Sequence, residues 1–410
     1  MTMLAASRPA ALRTLWLLSF GHCCVDLCSA AVTALVPFLV AQRDYSYAAV
    51  GVFIVAASIG GALIQPLIGH YGDRTGALWL MPAGLVLAGA SFGVVGLLHN
   101  RTLVLLAVAL CSIGVASYHP EGARWARRAA GSAVATGMSI FSVGGGIGYA
   151  LGPALVAAIV SPLGLVGTPI LIVLPAAAAV AVLALLRRSG ARANVEMAAA
   201  RELGSSLADE WSPFARIVLV NGIQSGIVAG LFAYVPLHLV ARGTSAGSAD
   251  LLSTVMLAAA AAGTLYGGRA ADRIGRRVVL IVPMLVLVPL IAVVPSLGFV
   301  ALVPTVLIIG FAMNTNISLI IVLGQEYLPG RLGLASGVVV GMSVGMGGLV
   351  TVLLSLLANA VGKSSGPTAA LYVTAALPVL AAALSASLPS PAAASPESIW
   401  SRAARGVAER

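Results

Sequence analysis

The chain has 410 residues, 60% of them hydrophobic and 9% charged, with a net charge of +10 and a mean hydropathy of +1.03. Soluble domains carry about 25% charged residues, so a water-soluble fold is excluded and the chain reads as an all-α integral membrane protein. The basic excess would suit nucleic acid, but its placement along the chain carries a different message.

Apolar runs of about 20 residues cross the hydrocarbon as helices. Twelve are predicted, at 14–40, 49–68, 77–98, 102–121, 133–160, 168–187, 214–240, 249–267, 278–297, 301–325, 333–361 and 367–388. The first follows Arg8 and Arg13, as a secretory signal would, but its length and Asp26 mark it as a retained helix. Asp26 is the one carboxylate placed near the middle of a predicted span. At that depth a bare carboxylate is costly, so it is expected to face a water-filled cavity. His22 lies at i−4 on the same face, and Ser29 and Thr33 continue it. This polar stripe suits proton uptake and release, or a structural hydrogen bond between helices. Cys23, Cys24 and Cys28 invite a soft metal ion, yet only Cys24 and Cys28 share a face, and not that of His22. With Cys111 they fall inside predicted helices, so neither a metal site nor a disulfide framework is expected.

The second run contains Ser58, a candidate substrate contact, and closes on Gln65-Pro66-Leu-Ile-Gly69-His-Tyr-Gly-Asp73-Arg74-Thr-Gly76. The fourth closes on His119-Pro120-Glu121-Gly-Ala-Arg124, where Glu121 and Arg124 are spaced to pair at i,i+3. That cluster suits a proton exit or a cytoplasmic gate. The fifth carries Ser142 and a row of Gly144, Gly148 and Gly152 before Pro153. The eleventh carries Gly337, Gly341 and Gly345. Small residues four apart let another helix backbone approach closely. The seventh run offers Asn221, Gln224 and Ser225, and Asn314 and Asn316 interrupt the tenth. These neutral groups, with Ser58 and Ser142, are candidate substrate contacts, though hydrogen bonding between helices would also use them.

The eighth run closes on Gly268-Arg-Ala-Ala-Asp272-Arg273-Ile-Gly275, repeating G-x-x-x-D-R-x-G at an offset of 199 residues. At that offset Pro37 matches Pro236 and Arg43 matches Arg242. A repeat this long in an apolar chain predicts two pseudo-symmetric halves of six helices. They are placed at 1–188 and 214–388, with a cytoplasmic linker at 189–213 whose 195–207 stretch suits a short surface helix. The tail at 389–410 reads as disordered. The repeat is uneven in one respect: His22 and Asp26 map to Asn221 and Ser225, so the titratable pair belongs to the first half alone. Of the 23 basic residues, 19 fall on one side of this topology. The positive-inside rule makes that side cytoplasmic, with both termini there and the protein multi-pass in the inner (plasma) membrane. The basic excess is thus a topology signal, and nucleic acid is not an expected partner.

Six-plus-six helices and the duplicated G-x-x-x-D-R-x-G resemble the major facilitator superfamily. Gly21-His22 with Asp26, the Gln65-Pro66 ending and the His119-Pro120-Glu121 ending are similar to its fosmidomycin-resistance family. The resemblance implies drug efflux by proton antiport through a central cavity, with Asp26, His22, Glu121 and His119 handling protons. It implies a gate latch formed by Asp73, Arg74, Asp272 and Arg273, with Arg124 beside it; turn structure and topology anchoring are the plainer roles. The fifth-run glycines resemble the antiporter motif of efflux members without its trailing glycine pair. No arginine or lysine falls at mid-membrane, so protonated His22 and His119 are the only cations on offer to an anionic phosphonate such as fosmidomycin. A neutral or mildly polar compound fits no worse. Uptake or exchange of a metabolite is the alternative, and a sensor without turnover a third. No phosphate loop, nucleophile elbow or H-E-x-x-H is present, so no enzyme activity or cofactor is expected. The expected partners are a small molecule, protons and the bilayer, and the expected state is a monomer.

Overall fold

The computed structural model describes residues 8–43, 63–362 and 365–391, all helix and connecting turns with no strand among them. Its helices are α1 (Arg8–Ala34), α2 (Val36–Arg43), α3 (Gln65–Thr75), α4 (Leu80–Val94), α5 (Arg101–Ala130), α6 (Val134–Leu163), α7 (Val173–Ser205), α8 (Trp211–Ala241), α9 (Ala246–Ile274), α10 (Arg276–Val293), α11 (Phe299–Asn314), α12 (Ile317–Tyr327), α13 (Leu332–Val361) and α14 (Gly366–Ala386). Among the described residues, 11 segments are long and apolar enough to cross a membrane. The predicted second run lies mostly outside the described residues, and Ser58 with it; its end is α3.

Three boundaries differ from the sequence reading. The first run begins at Arg8 and breaks at Leu35, two residues before Pro37, which has no N–H to donate. The tenth run divides between Asn314 and Ile317, where the asparagines interrupt the apolar pattern. The helix expected at 195–207 is present but not separate, because α7 continues unbroken to Ser205 and only 206–210 separate it from α8.

The outer surface is apolar. On α10, Val278, Val282, Leu285 and Val286 are exposed, and on α13, Leu349, Val352, Leu353 and Leu356. Each set falls at helical i, i+4 and i+7 spacing, the stripe that hydrocarbon solvates. Inside, small residues let helices touch along their backbones. α6 runs along α1. A methyl added at Gly144, Gly148 or Gly152 would overlap the carbonyls of Ser19, Cys23 and Leu27, which step along α1 four residues at a time.

The repeat offset recurs in the contacts. α3 packs on α13, and α9 on α6. Gly69 abuts the backbone of Gly333, and Gly268, its match, abuts the backbone of Ala135. Arg43 donates to the carbonyl of Gly96, and Arg242 donates to that of Pro295 at 2.7 Å; donor and acceptor are each displaced by 199. The closing glycines of the repeated motif, Gly76 and Gly275, take φ of +63° and +98°. Residues with a Cβ rarely adopt these values, so the motif's last position needs glycine.

Gly148→Ala should disturb the α1–α6 seam, because overpacking costs about 1–3 kcal/mol. Thermal unfolding in detergent should show a lowered Tm, whereas Gly146→Ala, where an added methyl meets nothing within 4 Å, should not lower it. Equal Tm values for the two variants would contradict the seam.

Candidate functional site

Asp26 sits where α1 meets α5 and α6. Its Oδ1 lies 3.0 Å from His119 Nε2, and its Oδ2 lies 3.3 Å from His22 Nε2. Both oxygens therefore face an imidazole. The His22 ring stacks on Phe141 with centroids 4.4 Å apart, and its Nδ1 is 2.9 Å from the Phe141 carbonyl oxygen. A carbonyl only accepts, so Nδ1 carries a hydrogen and His22 meets the carboxylate through Nε2. His119 Nδ1 is 3.3 Å from the Gln65 side-chain amide. Tyr118 donates its hydroxyl to the Leu18 carbonyl at 2.7 Å and fastens α5 to α1. Gly145 leaves the space: a methyl there would collide with Asp26 Oδ2 and His22 Nε2. The predicted stripe ends at Ser29, because Thr33 is exposed and donates to Ala30 instead.

The donor atoms of His22, Asp26 and His119 lie within 4.8 Å of one another, the only such three-residue group among the described residues. The imidazole–carboxylate contacts already satisfy these donors. Cys24 turns to the Leu174 carbonyl, away from the group.

The three side chains line a cavity of about 280 Å³, near the lower end of the ~300–1,000 Å³ usual for small-molecule sites. Ser142, Asn221 and Asn314 line it as well. Gln224 donates instead to the Met313 carbonyl, Ser225 bonds back to Asn221, and Asn316 is fully buried outside the cavity wall. Ser112, Tyr149, Thr264 and Ser343 line the cavity without having been singled out in the sequence, and Gln65, noted there only as part of a motif, lines it too. Beside Asn221, Thr264, Asn314 and Ser343, the facing wall presents the apolar side chains of Leu257, Ala260, Ile317, Ile321 and Val339. Among the described residues, no arginine or lysine lines the cavity.

The arginine-rich end of the bundle is closed by charges of three kinds. Asp73 accepts from the backbone N–H groups of Gly333 and Leu334, both at 2.8 Å, at the start of α13. Asp272 accepts from Ala135 and Thr136, at 3.3 and 2.8 Å, at the start of α6. A helix cannot pair its own first N–H groups, and its positive end favours a carboxylate. Each motif acid thus caps a distant helix, while Arg74 and Arg273 are exposed. Arg124 lies 3.8 Å from Asp73 and donates to Glu121 at 2.9 Å. Glu121 is fully buried, apart from the cavity, with Oε2 unpartnered among the described residues.

The third kind is a buried pair missed by inspection of single motifs. Arg127 Nη2 lies 3.3 Å from Glu326 Oε1, and Nη1 lies 3.4 Å from Gln325. Arg276 also donates to Glu326. Arg127 and Glu326 are 199 residues apart, the repeat offset itself, and that spacing was the available signal. The extended α7 adds Glu196 against Arg128 at 2.6 Å and lays Gly204 on the backbone of Pro329.

Removing one partner of a buried ion pair costs about 3–5 kcal/mol. Glu326→Ala leaves two guanidinium groups without their acid, whereas Arg127→Ala leaves Glu326 paired with Arg276. The first should lower the Tm in detergent more than the second. Equal losses would contradict this arrangement.

Comparison with known proteins places the chain. The sequence model of the Major Facilitator Superfamily matches residues 18–352. The chain is 31% identical over 358 residues to the fosmidomycin resistance protein of Escherichia coli K12, covering 83% of this chain and 85% of that one. It is 28% identical to YfnC of Bacillus subtilis 168, an uncharacterised MFS-type transporter, with 88% of each chain covered. Among solved structures it is similar to the E. coli fucose:proton symporter FucP, with a TM-score of 0.70 at 15% identity over 93% of this chain and 99% of that one. A FucP structure in the outward conformation gives 0.69 at 16% identity, covering 92% and 100%. These structural likenesses bear on the fold. The family match and the E. coli relative together establish that the chain belongs to the major facilitator superfamily of multi-pass membrane transporters.

Proposed function

We propose that the protein exports a small molecule in exchange for protons, by alternating access between two six-helix halves. The observation that carries this reading is Asp26, the one carboxylate among the described residues that line the central cavity, bracketed by His22 and His119. The halves are 1–188 and 214–388, twelve spanning helices in all, with 189–213 joining them and 389–410 a cytoplasmic tail. The repeat-equivalent contacts Arg43–Gly96 and Arg242–Pro295 support that division. The excess of arginines places the closed end and both termini in the cytoplasm of a cell with this protein in its inner membrane. The structure is then closed to the cytoplasm, in keeping with its likeness to an outward conformation. Asp73 and Asp272 act as the latches of that closure, with Arg124 beside them. Glu121, buried and half-partnered, is the second proton site. Ser142, Asn221 and Asn314 are the substrate contacts on the cavity wall.

One entering proton gains about 2.3 kcal/mol per 100 mV of potential and about 1.36 kcal/mol per pH unit. A few kcal/mol sustains a large concentration gradient. Protonating or deprotonating the Asp26 group changes the charge held between α1 and α5, and so biases which state of the halves is favoured. Efflux is favoured over uptake by the name of the E. coli relative, a resistance protein. The runner-up is proton-coupled uptake, since the structural neighbour FucP is named a symporter. The protein works as a monomer in either case, because one chain contains both halves of the path.

The test is purified protein in proteoliposomes with a trapped pH dye, challenged with a compound panel that includes fosmidomycin. An imposed proton gradient should drive compound movement, and Asp26→Asn should abolish that drive. Full proton-driven transport in Asp26→Asn would remove Asp26 from the mechanism.

A further inference from the structure

The Asp26 group fixes the charge of the compound that can be exchanged for a proton. His22 Nδ1 holds its hydrogen against the Phe141 carbonyl, 2.9 Å away. Its Nε2 faces Asp26 Oδ2 at 3.3 Å. With no further proton, two lone pairs would face each other there. One proton therefore sits on His22 or Asp26. Gln65 Nε2, a donor, faces His119 Nδ1 at 3.3 Å, so that nitrogen presents a lone pair and the group as built has no net charge. The other titratable side chains nearby are Tyr149 on α6, Cys23, Cys24 and Cys28 on α1, and Tyr118 and Cys111 on α5. All are uncharged at neutral pH in their ordinary range. α4, which also packs on α1, carries no titratable side chain, and the facing wall of the cavity contributes none.

Two consequences follow from linkage. A cation that pairs with the Asp26 carboxylate takes the place of the shared proton, which leaves to water; cation and proton exclude each other, and the cavity stays neutral. An anion meets no fixed cation, since no arginine or lysine lines the cavity among the described residues. It can be held only by adding a proton to the imidazoles, so anion and proton bind together. Exclusion gives antiport and joint binding gives symport. Resting on the antiport reading above, we propose that the substrate is a small organic cation: an ammonium-type head against Asp26, and an apolar body against Leu257, Ala260, Ile317, Ile321 and Val339. Asp26 is 18% exposed at its side chain, which leaves its carboxylate open to such a head.

The experiment uses the full-length protein in detergent and lightly buffered solution, with benzyltrimethylammonium as the cationic probe and benzylphosphonate as the anionic one. Calorimetry reads binding and a pH dye reads protons. The cation should bind and release close to one proton per site, with Kd rising by up to about tenfold for each unit the pH is lowered. Asp26→Asn should lose the release and most of the affinity. The sign of the wild-type proton signal stands without that variant, should the variant fold poorly. Failure of the cation to bind at millimolar concentration, with or without binding of benzylphosphonate and proton uptake, would overturn the cationic substrate; uptake that vanishes in Asp26→Asn would still leave Asp26 as the proton site. Cation binding with no proton exchanged would overturn this proposal and remove proton coupling from the proposed function as well.

Discussion

A charge carried into a bundle surrounded by hydrocarbon is tolerable only where its partners are already in place. The protein is arranged around three such places. In the cavity, two imidazoles receive the Asp26 carboxylate. At the closed end, the open N–H groups that begin α6 and α13 receive Asp272 and Asp73. Between them, Arg127 and Arg276 share Glu326. The caps satisfy both partners: the first N–H groups of a helix have no acceptor within it, and each carboxylate supplies one. Each cap joins elements far apart in sequence, α3 to α13 and α9 to α6.

The repeat explains why these solutions come in twos, and its breaks show where the protein is specialised. Asp73 and Asp272, Gly76 and Gly275, Gly69 and Gly268, and Arg43 and Arg242 each do one job twice. Arg127 and Glu326 are repeat-equivalent positions that have diverged to opposite charge. Like charges at those positions would repel across the same gap, so complementarity between the two copies required them to differ. His22 and Asp26 face Asn221 and Ser225 in the same register. One copy carries the titratable group, while the other offers an amide to the cavity and an apolar wall.

Much of this was legible in the sequence because it is periodic. Apolar runs, the repeated motif and the spacing of His22 and Asp26 are one-dimensional patterns, and the helix-one seam with Gly144, Gly148 and Gly152 follows from their spacing. Contacts between distant segments were less legible. Nothing local to His119 says that its ring turns to Asp26, 93 residues away. The partner of Asp73 is a backbone, which has no residue type to recognise. The substrate candidates divided for a similar reason: Asn221 and Asn314 reach the cavity, while Gln224 spends its amide on a carbonyl of the next helix. An apolar helix lacks the solvated face that would tell one outcome from the other. The continuity of α7 to Ser205 was hidden by its charges, which suggested a break before a separate surface helix at 195–207, although Glu196 has Arg128 as a partner.

The cavity and the closed end are joined by a single rod. α5 carries His119 at the cavity, then Glu121, Arg124, Arg127 and Arg128 at the closure, all within ten residues. Eight helical steps of 1.5 Å separate His119 from Arg127 by about 12 Å. A change of charge beside His119 therefore acts on the element that holds Arg127 against Glu326, with no intervening loop to absorb it. Pro120 lies just beyond His119 and cannot donate to the carbonyl of Ala116 one turn back, so the rod is weakened at the turn that carries His119. The missing bond lies at the cavity end, so the stretch from Glu121 to Arg128 keeps its helical ladder and carries the closing arginines as one piece.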